Sequence, residues 1–187
     1  HIKKLLEDHT LMTASLYRWK DQLFLYYECT KNKVMPEAFL FEINDFLEER
    51  TAHDGKRRWT SMIDIFHFDI PLSADQWKRT LPIEKRVGRL AAIKPVMLSS
   101  YIYHHYMLQE CERESGNKYC TIGLYENFIF HYEEIPVENT KPSFVGKLKT
   151  GRFSGNWDDL MLPHFIQWEE GTGREKNLRI MNSLISM

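Results

Sequence analysis

Two stretches of the chain mix aromatic and β-branched residues on either side of a short polar turn. In the first, residues 15–19 (SLYRW) and 23–28 (LFLYYE) flank KDQ; in the second, residues 120–125 (CTIGLY) and 128–134 (FIFHYEE) flank EN. This pattern is typical of paired antiparallel strands. We therefore predict two β-hairpins, which end at Glu28 and Glu134.

A helical pattern precedes each predicted hairpin. Residues 1–9 (HIKKLLEDH) form the first, and residues 97–114 (MLSSYIYHHYMLQECERE) form the second, which we expect to start at Ser99 or Ser100 and to end before Ser115. Residues 87–95 (VGRLAAIKP) predict a strand that is closed by proline. A tryptophan-bearing segment comes after each hairpin, at residues 55–71 and 151–168.

The two hairpins align with one another, which indicates a duplicated unit. Residues 23–28 match residues 129–134, allowing for a one-residue slip. We predict an α+β fold in which residues 1–82 and 83–187 are two ferredoxin-like repeats, each an antiparallel sheet with helices on one face. The repeats are expected to pack as an intramolecular dimeric α+β-barrel-type arrangement, joined near residues 71–86. The first repeat is expected to lack its first strand, which points to residues upstream of His1.

Composition narrows the classes of function. Of 187 residues, 43% are hydrophobic and 13% aromatic, and the net charge is −1. Such a chain can build a packed core, and it has no basic field for nucleic acid or an anionic membrane. Its apolar runs are too short to span a bilayer. Three cysteines without paired spacing favour a reduced, cytoplasmic compartment. The sequence predicts a monomer or a homodimer.

Several motifs together resemble the L-rhamnose mutarotases, a family of small dimeric α+β-barrel proteins. The strand before Lys94 and Pro95, then Tyr101 and His105 on the next helix, are similar to the opening of that family, and the second hairpin is similar to the family's next element. Residues 57–65 (RRWTSMIDI) look like the family's closing helix, and residues 156–161 (NWDDLM) match it weakly. The family's Trp-Pro-Glu is replaced here by residues of the segment YMLQEC, and its tryptophan pair is a single tryptophan in each unit.

The resemblance implies a carbohydrate-handling enzyme that interconverts sugar anomers. His105 and Tyr101 would be the catalytic acid–base pair, because histidine titrates near neutral pH and residues four apart share a helix face. Trp59 and Trp157 would bind the apolar face of the sugar, and the basic run at Arg58 could hold a sugar or an anion. No metal or cofactor is expected, since the histidines are not at ligand spacing.

Each of these residues also has a purely structural interpretation. Tyr101, His105 and Leu108 form a stripe that is typical of the buried face of an amphipathic helix. The two tryptophans would then be core residues, and the basic run would be a solvated helix face. Under this interpretation the chain is a non-catalytic α+β-barrel module that binds a small ligand or a protein partner. The sequence leaves both possibilities open.

Overall fold

The computed structural model describes residues 1–53, 55–111, 113–148 and 156–187. Residues 1–82 contain three short helices and five strands within the described part of the chain. In chain order these elements are α1 (Ile2–Glu7), β1 (Leu11–Trp19), β2 (Gln22–Cys29), α2 (Pro36–Phe39), α3 (Phe41–Asn44), β3 (Arg50–Ala52), β4 (Gly55–Arg57) and β5 (Ile63–His67).

The remaining residues contain the main helix and the longest sheet. The elements are β6 (Lys85–Ile93), α4 (Leu98–Glu110), β7 (Gly116–Asn117), β8 (Thr121–Tyr125), β9 (Phe128–Ile135), β10 (Asn139–Thr140), α5 (Trp157–Met161), β11 (Phe165–Ile166), β12 (Arg179–Ile180) and β13 (Asn182–Ser186). Short 3₁₀ helices occupy Pro95–Met97, Leu162–His164 and Gly173–Lys176.

Both predicted hairpins are confirmed. Strands β1 and β2 pair antiparallel, and so do β8 and β9. Each turn begins at a residue with a left-handed backbone, Lys20 with φ 54° and Glu126 with φ 53°. The predicted strand before Pro95 is β6, and the predicted first helix is α1. The second predicted helix is α4, which ends at Glu110 because the next residue, Cys111, has an extended backbone.

The strands form an α+β fold dominated by antiparallel sheets, one of them curled into a half-barrel. The larger sheet has the order β11–β6–β9–β8–β5, with β12 also paired to β6, and the second has the order β13–β1–β2. Strand β5, from the first half of the chain, therefore pairs with β8 from the second half. Strand β13, at the end of the chain, pairs with β1 near its beginning.

Successive residues of β9 face two different cores, because side chains alternate across a strand. Ile129 packs with Tyr101 of α4 in one buried cluster, on the helix side of the larger sheet. Phe130 and Tyr132 pack instead with Tyr17 and Phe24 of the other sheet, in a second cluster. The two faces of β9 thus belong to separate environments, which decides where each candidate residue can act.

The helix predicted over residues 57–65 is wrong. Arg57 ends β4, and Ile63 begins β5, which pairs with β8. Ile65 is the extra residue of a β-bulge, so Ile65 and Phe66 are both buried. Pairing with an existing strand outweighs any local helical preference here, since β-branched and aromatic residues fit a half-buried sheet. Of the second tryptophan-bearing segment, residues 151–155 lie outside the described residues.

Candidate functional site: a buried histidine and tyrosine cluster under helix α4

Helix α4 directs Tyr101 and His105 toward the sheet. Each side chain is only 4% exposed, and their ring centroids are 4.2 Å apart. The one-turn spacing of the two residues puts them on the same face of the helix. The His105 Nδ1 lies 2.9 Å from the Tyr101 carbonyl oxygen. A neutral imidazole that donates from Nδ1 has its lone pair on Nε2, so Nε2 is the atom that can accept a proton.

Residues from the C-terminal part of the chain complete this cluster. Trp157, the first residue of α5, meets the His105 ring edge to face with centroids 5.2 Å apart. The His164 ring lies 5.9 Å from the Tyr101 ring, and His164 Nε2 is 2.9 Å from the hydroxyl of Ser100. The structure therefore brings together three residues predicted from the sequence, Tyr101, His105 and Trp157, although α5 is distant from α4 in the chain.

A second titratable pair on the same face of the sheet was not predicted. Cys120 Sγ lies 3.2 Å from Nε2 of His131, and His131 is 8% exposed. The Nδ1 of His131 is buried and has no hydrogen-bond partner. From the sequence, His131 was assigned no role, since the histidines are not at metal-ligand spacing. The sequence signal that could have identified His131 is the alternation of side chains along β9. This alternation puts His131 on the same face as Ile129 and on the opposite face from Tyr132.

Burial keeps two histidines, one cysteine and one tyrosine of this region uncharged near neutral pH. Burial lowers the pKa of His105 to about 4, partly opposed by its hydrogen bond to the Tyr101 backbone. Burial, together with the charges of Arg89 and Arg174, lowers the pKa of His131 to about 3. Burial also raises the pKa of the Cys120 thiol to about 12 and holds the pKa of Tyr101 above its usual value. The cluster thus offers neutral proton donors and acceptors.

The other two predicted residues, Arg58 and Trp59, line a different site. They lie in a cleft of about 740 Å³ between β2 and the strands β5 and β8. Phe128 and Phe130 contribute to this cleft, so it is on the opposite face of β9 from His131. Arg58 approaches Glu49 at 3.7 Å. The cleft wall therefore separates Arg58 and Trp59 from the histidine cluster.

A third constellation joins the two sheets. Arg79, in the segment between β5 and β6, binds Glu28 and Glu134, in each case with 2.8 Å between its Nη2 and a carboxylate oxygen. Tyr26 and Tyr132 stack with centroids 3.7 Å apart, and each donates its hydroxyl to the nearby glutamate. The side chains of Arg79 and the two glutamates are at most 12% exposed, so these residues form a structural centre between the sheets.

Compared with family models, curated proteins and solved structures, the chain matches none. Across residues 1–53, 55–111, 113–148 and 156–187, no helix is both long enough and apolar enough to cross a membrane. In the same ranges, no three His, Cys, Asp or Glu side chains come together in a way that could hold a metal ion. The chemistry of the chain must be inferred from its own side chains.

Proposed function

We propose that this chain is a carbohydrate-handling protein of the mutarotase type, with its site at Tyr101, His105 and Trp157. The observation that carries the proposal is the contact of a neutral histidine with a tyrosine on one side and a tryptophan on the other. An acid, a base and a flat apolar surface are what the interconversion of sugar anomers requires. Arg58 and Trp59, on the other face of the sheet, are not part of this site.

The proposed reaction moves two protons in opposite directions. His105 Nε2 takes the proton of the anomeric hydroxyl while the Tyr101 hydroxyl gives a proton to the ring oxygen, and the ring bond breaks. After the aldehyde rotates, the two transfers reverse and the ring closes. Because burial disfavours both imidazolium and phenolate here, the two transfers must be concerted. Trp157 would pack against the C–H face of the sugar.

Access to the cluster requires movement. Tyr101 packs against Met161 of α5, and Trp157 covers His105. A sugar can reach the two polar side chains only when the short helix α5 separates from α4. Helix α5 has five residues and one side-chain cap, in which the Asn156 side chain accepts a hydrogen bond from the Asp158 backbone N–H. Such a short helix owes its position to packing, so its displacement costs less than that of α4.

A second candidate function is the binding of a small ligand without turnover. The near-complete burial of Tyr101 and His105 favours it, because enclosed side chains of this kind are also ordinary core residues. The same α5 movement would open a pocket in which no proton transfer occurs. The two candidates share a site and differ in whether anomer exchange accelerates.

We also infer that the two halves are ferredoxin-like repeats in a dimeric α+β-barrel-type arrangement. The order β11–β6–β9–β8 supports this for the second half, since it is the order expected when a strand–helix–strand–strand–helix–strand unit closes its sheet. The reciprocal pairing of β5 with β8 and of β13 with β1 supports an exchange of final strands between the halves. Each half alone would leave its hydrophobic sheet face uncovered.

Anomer-exchange NMR against a panel of free aldoses and 6-deoxyhexoses tests the proposal. We expect at least one sugar to exchange anomers faster with the protein than in buffer, and to show saturation transfer from it. Saturation transfer without faster exchange would support the binding module and exclude the mutarotase. Absence of both effects across the panel would contradict both candidates.

A further inference from the structure

Residues that are 106 positions apart meet between the two sheets. Phe24 contacts Phe130 with ring centroids 5.8 Å apart, and Tyr26 stacks on Tyr132. Glu28 and Glu134 both bind Arg79. Side chains that touch their own equivalents lie on an approximate twofold axis, so β2 is the equivalent of β9 in the repeat arrangement proposed above. This relation allows the surroundings of the two strands to be compared position by position.

The two equivalent strands differ at one edge. Strand β9 is paired with β8 on one side and with β6 on the other, from Lys85 opposite Ile135 to Ala92 opposite Phe128. Strand β2 is paired with β1 on one side, and in the described part of the chain no strand pairs with its other edge. An open edge presents unpaired N–H and C=O groups that another strand can bind. The cleft that contains Trp59 runs along the side chains of this edge.

The contacts of β6 specify what such a strand must carry. Gly88 is opposite Tyr132 and lies so close to the Tyr17 ring that a Cβ there would be 2.7 Å from it. Leu90 is opposite Phe130. Arg86 is opposite Glu134 and approaches it at 3.6 Å, so Glu134 faces two guanidinium groups. The pattern along β6 is thus basic, then small, then apolar at every second residue. Only the basic and apolar positions carry over to β2, because the equivalent of Tyr17, 106 positions later, is Gly123.

Glu28 on β2 has one cationic partner fewer than its equivalent Glu134 on β9. Glu134 faces both Arg79 and Arg86, whereas the ion pairs of the described residues give Glu28 only Arg79. Glu28 is 11% exposed in its side chain, so little water compensates the missing cation. A basic residue opposite Glu28 would restore the symmetry of the charges. The edge therefore has a chemical preference as well as open backbone groups.

We propose that the open edge of β2 binds an extended polypeptide partner that runs antiparallel to it, as β6 does to β9. The partner has a basic residue opposite Glu28 and an apolar residue opposite Phe24. The β2 strand of a second copy, QLFLYYEC, has no basic residue, so it does not fit. Main-chain hydrogen bonds supply affinity in this mode of recognition, and the side-chain pattern supplies specificity.

The test uses a peptide with the sequence of residues 84–94 (EKRVGRLAAIK), added to the full chain and also joined to His1 through a Gly–Ser linker. Hydrogen exchange of the backbone amides reports where the peptide binds. We expect slower exchange at β2 in both formats, with β9 unchanged. A scrambled peptide should give no protection. Tethering raises the effective concentration, so weak affinity does not hide the interaction.

Two substitutions separate specific pairing from nonspecific association. Replacing the peptide arginine that corresponds to Arg86 with glutamine should weaken binding about tenfold, an effect expected for a charge-assisted contact. The same replacement should have little further effect in a protein with Glu28→Gln. Equal protection by the scrambled peptide, protection confined to β9, or none in the tethered protein would overturn the proposal. So would protection of β2 in the absence of peptide, whether by a second copy or by another segment of the same chain. None of these results depends on sugar binding.

Discussion

Arg79 is the side chain that both halves of the molecule share. It bridges Glu28 and Glu134, with all three side chains at most 12% exposed. Burial opposes the charge of Arg79, but hydrogen bonds from the guanidinium to the two carboxylates outweigh this and raise its pKa above the usual value. Its guanidinium also lies over the ring of Tyr119 at 4.1 Å. Removal of this one cation would leave two carboxylates facing each other across the axis.

Replacing Arg79 with methionine should lower the free energy of unfolding by roughly 3–5 kcal/mol, because it leaves buried charges without a partner. The neighbouring residue provides the control. Lys78 and Asp75 form an ion pair whose side chains are 68% and 88% exposed. Lys78→Ala should therefore cost less than about 1 kcal/mol. Urea denaturation of both variants measures the difference, and similar losses in the two would contradict this role of Arg79.

The two buried histidines should make the fold sensitive to acid. The pKa values of His105 and His131 are lowered from 6.5 to about 4 and about 3, first of all by burial. Below pH 6.5 the unfolded chain takes up protons that the folded chain does not, so stability is lost as the pH falls toward the folded pKa values. Between pH 7 and pH 5 we expect a loss of roughly 2 kcal/mol for each histidine.

His131→Gln tests this origin of acid sensitivity. Because glutamine does not titrate, the loss of unfolding free energy between pH 7 and pH 5 should be about 2 kcal/mol smaller in the variant than in the parent. Urea titrations at the two pH values give both numbers. An undiminished loss in the variant would show that other groups dominate the acid response.

At the scale of elements, the backbone of β6 packs tightly against a side chain of β1. Gly88→Ala would put a methyl group 2.7–2.9 Å from three ring atoms of Tyr17, a side chain that is 1% exposed and cannot move aside. We expect a destabilisation of about 1–3 kcal/mol. Gly123→Ala on β8 is the control, since its methyl group would have one neighbour at 3.0 Å, the Cβ of Met62, and the next atom at 3.4 Å. Thermal unfolding should separate the two variants, and an equal effect would contradict the tight contact of Gly88 with Tyr17.

Alternation and turn residues were sufficient to predict the hairpins, the strand β6 and the helix α4. These are local patterns, and each is also favoured by burial in the folded chain. The strand β5 could not be predicted in this way, because its conformation depends on pairing with β8, which is remote in sequence. The helix predicted over residues 57–65 rested on a resemblance alone. It was wrong because the pairing with β8 decides the conformation of these residues.

At the scale of the whole molecule, the alignment of the two hairpins pairs residues that also lie together in the structure. Tyr26 with Tyr132 and Glu28 with Glu134 are the aligned pairs that meet in the structure. The role of Arg79 could not be predicted, since it lies in a segment without periodicity and acts only once both sheets are assembled. The resemblance implied that Trp59 and Trp157 both belong to the site of His105, and only Trp157 contacts that residue. His131 and Cys120 join the cluster through sheet register alone.

The proposed activity depends on Tyr101 and His105 acting together under α4. Tyr101→Phe removes only the hydroxyl, and His105→Gln removes the titrating ring, so each deletes one proton-transfer group. His104→Gln is the matched control, because His104 neighbours His105 on the same helix and is only partly buried. A sugar that exchanges anomers faster with the parent protein is needed as the substrate.

The decisive measurement is the anomer-exchange rate of that sugar, by NMR, with the parent protein and these three variants. Tyr101→Phe and His105→Gln should each lower the protein-dependent rate by roughly two orders of magnitude, and His104→Gln should retain it. In the parent protein the rate should stay level from pH 8 to pH 6, since the pKa of His105 is about 4. Unchanged rates in both Tyr101→Phe and His105→Gln would contradict the proposal and leave α4 as a packing helix.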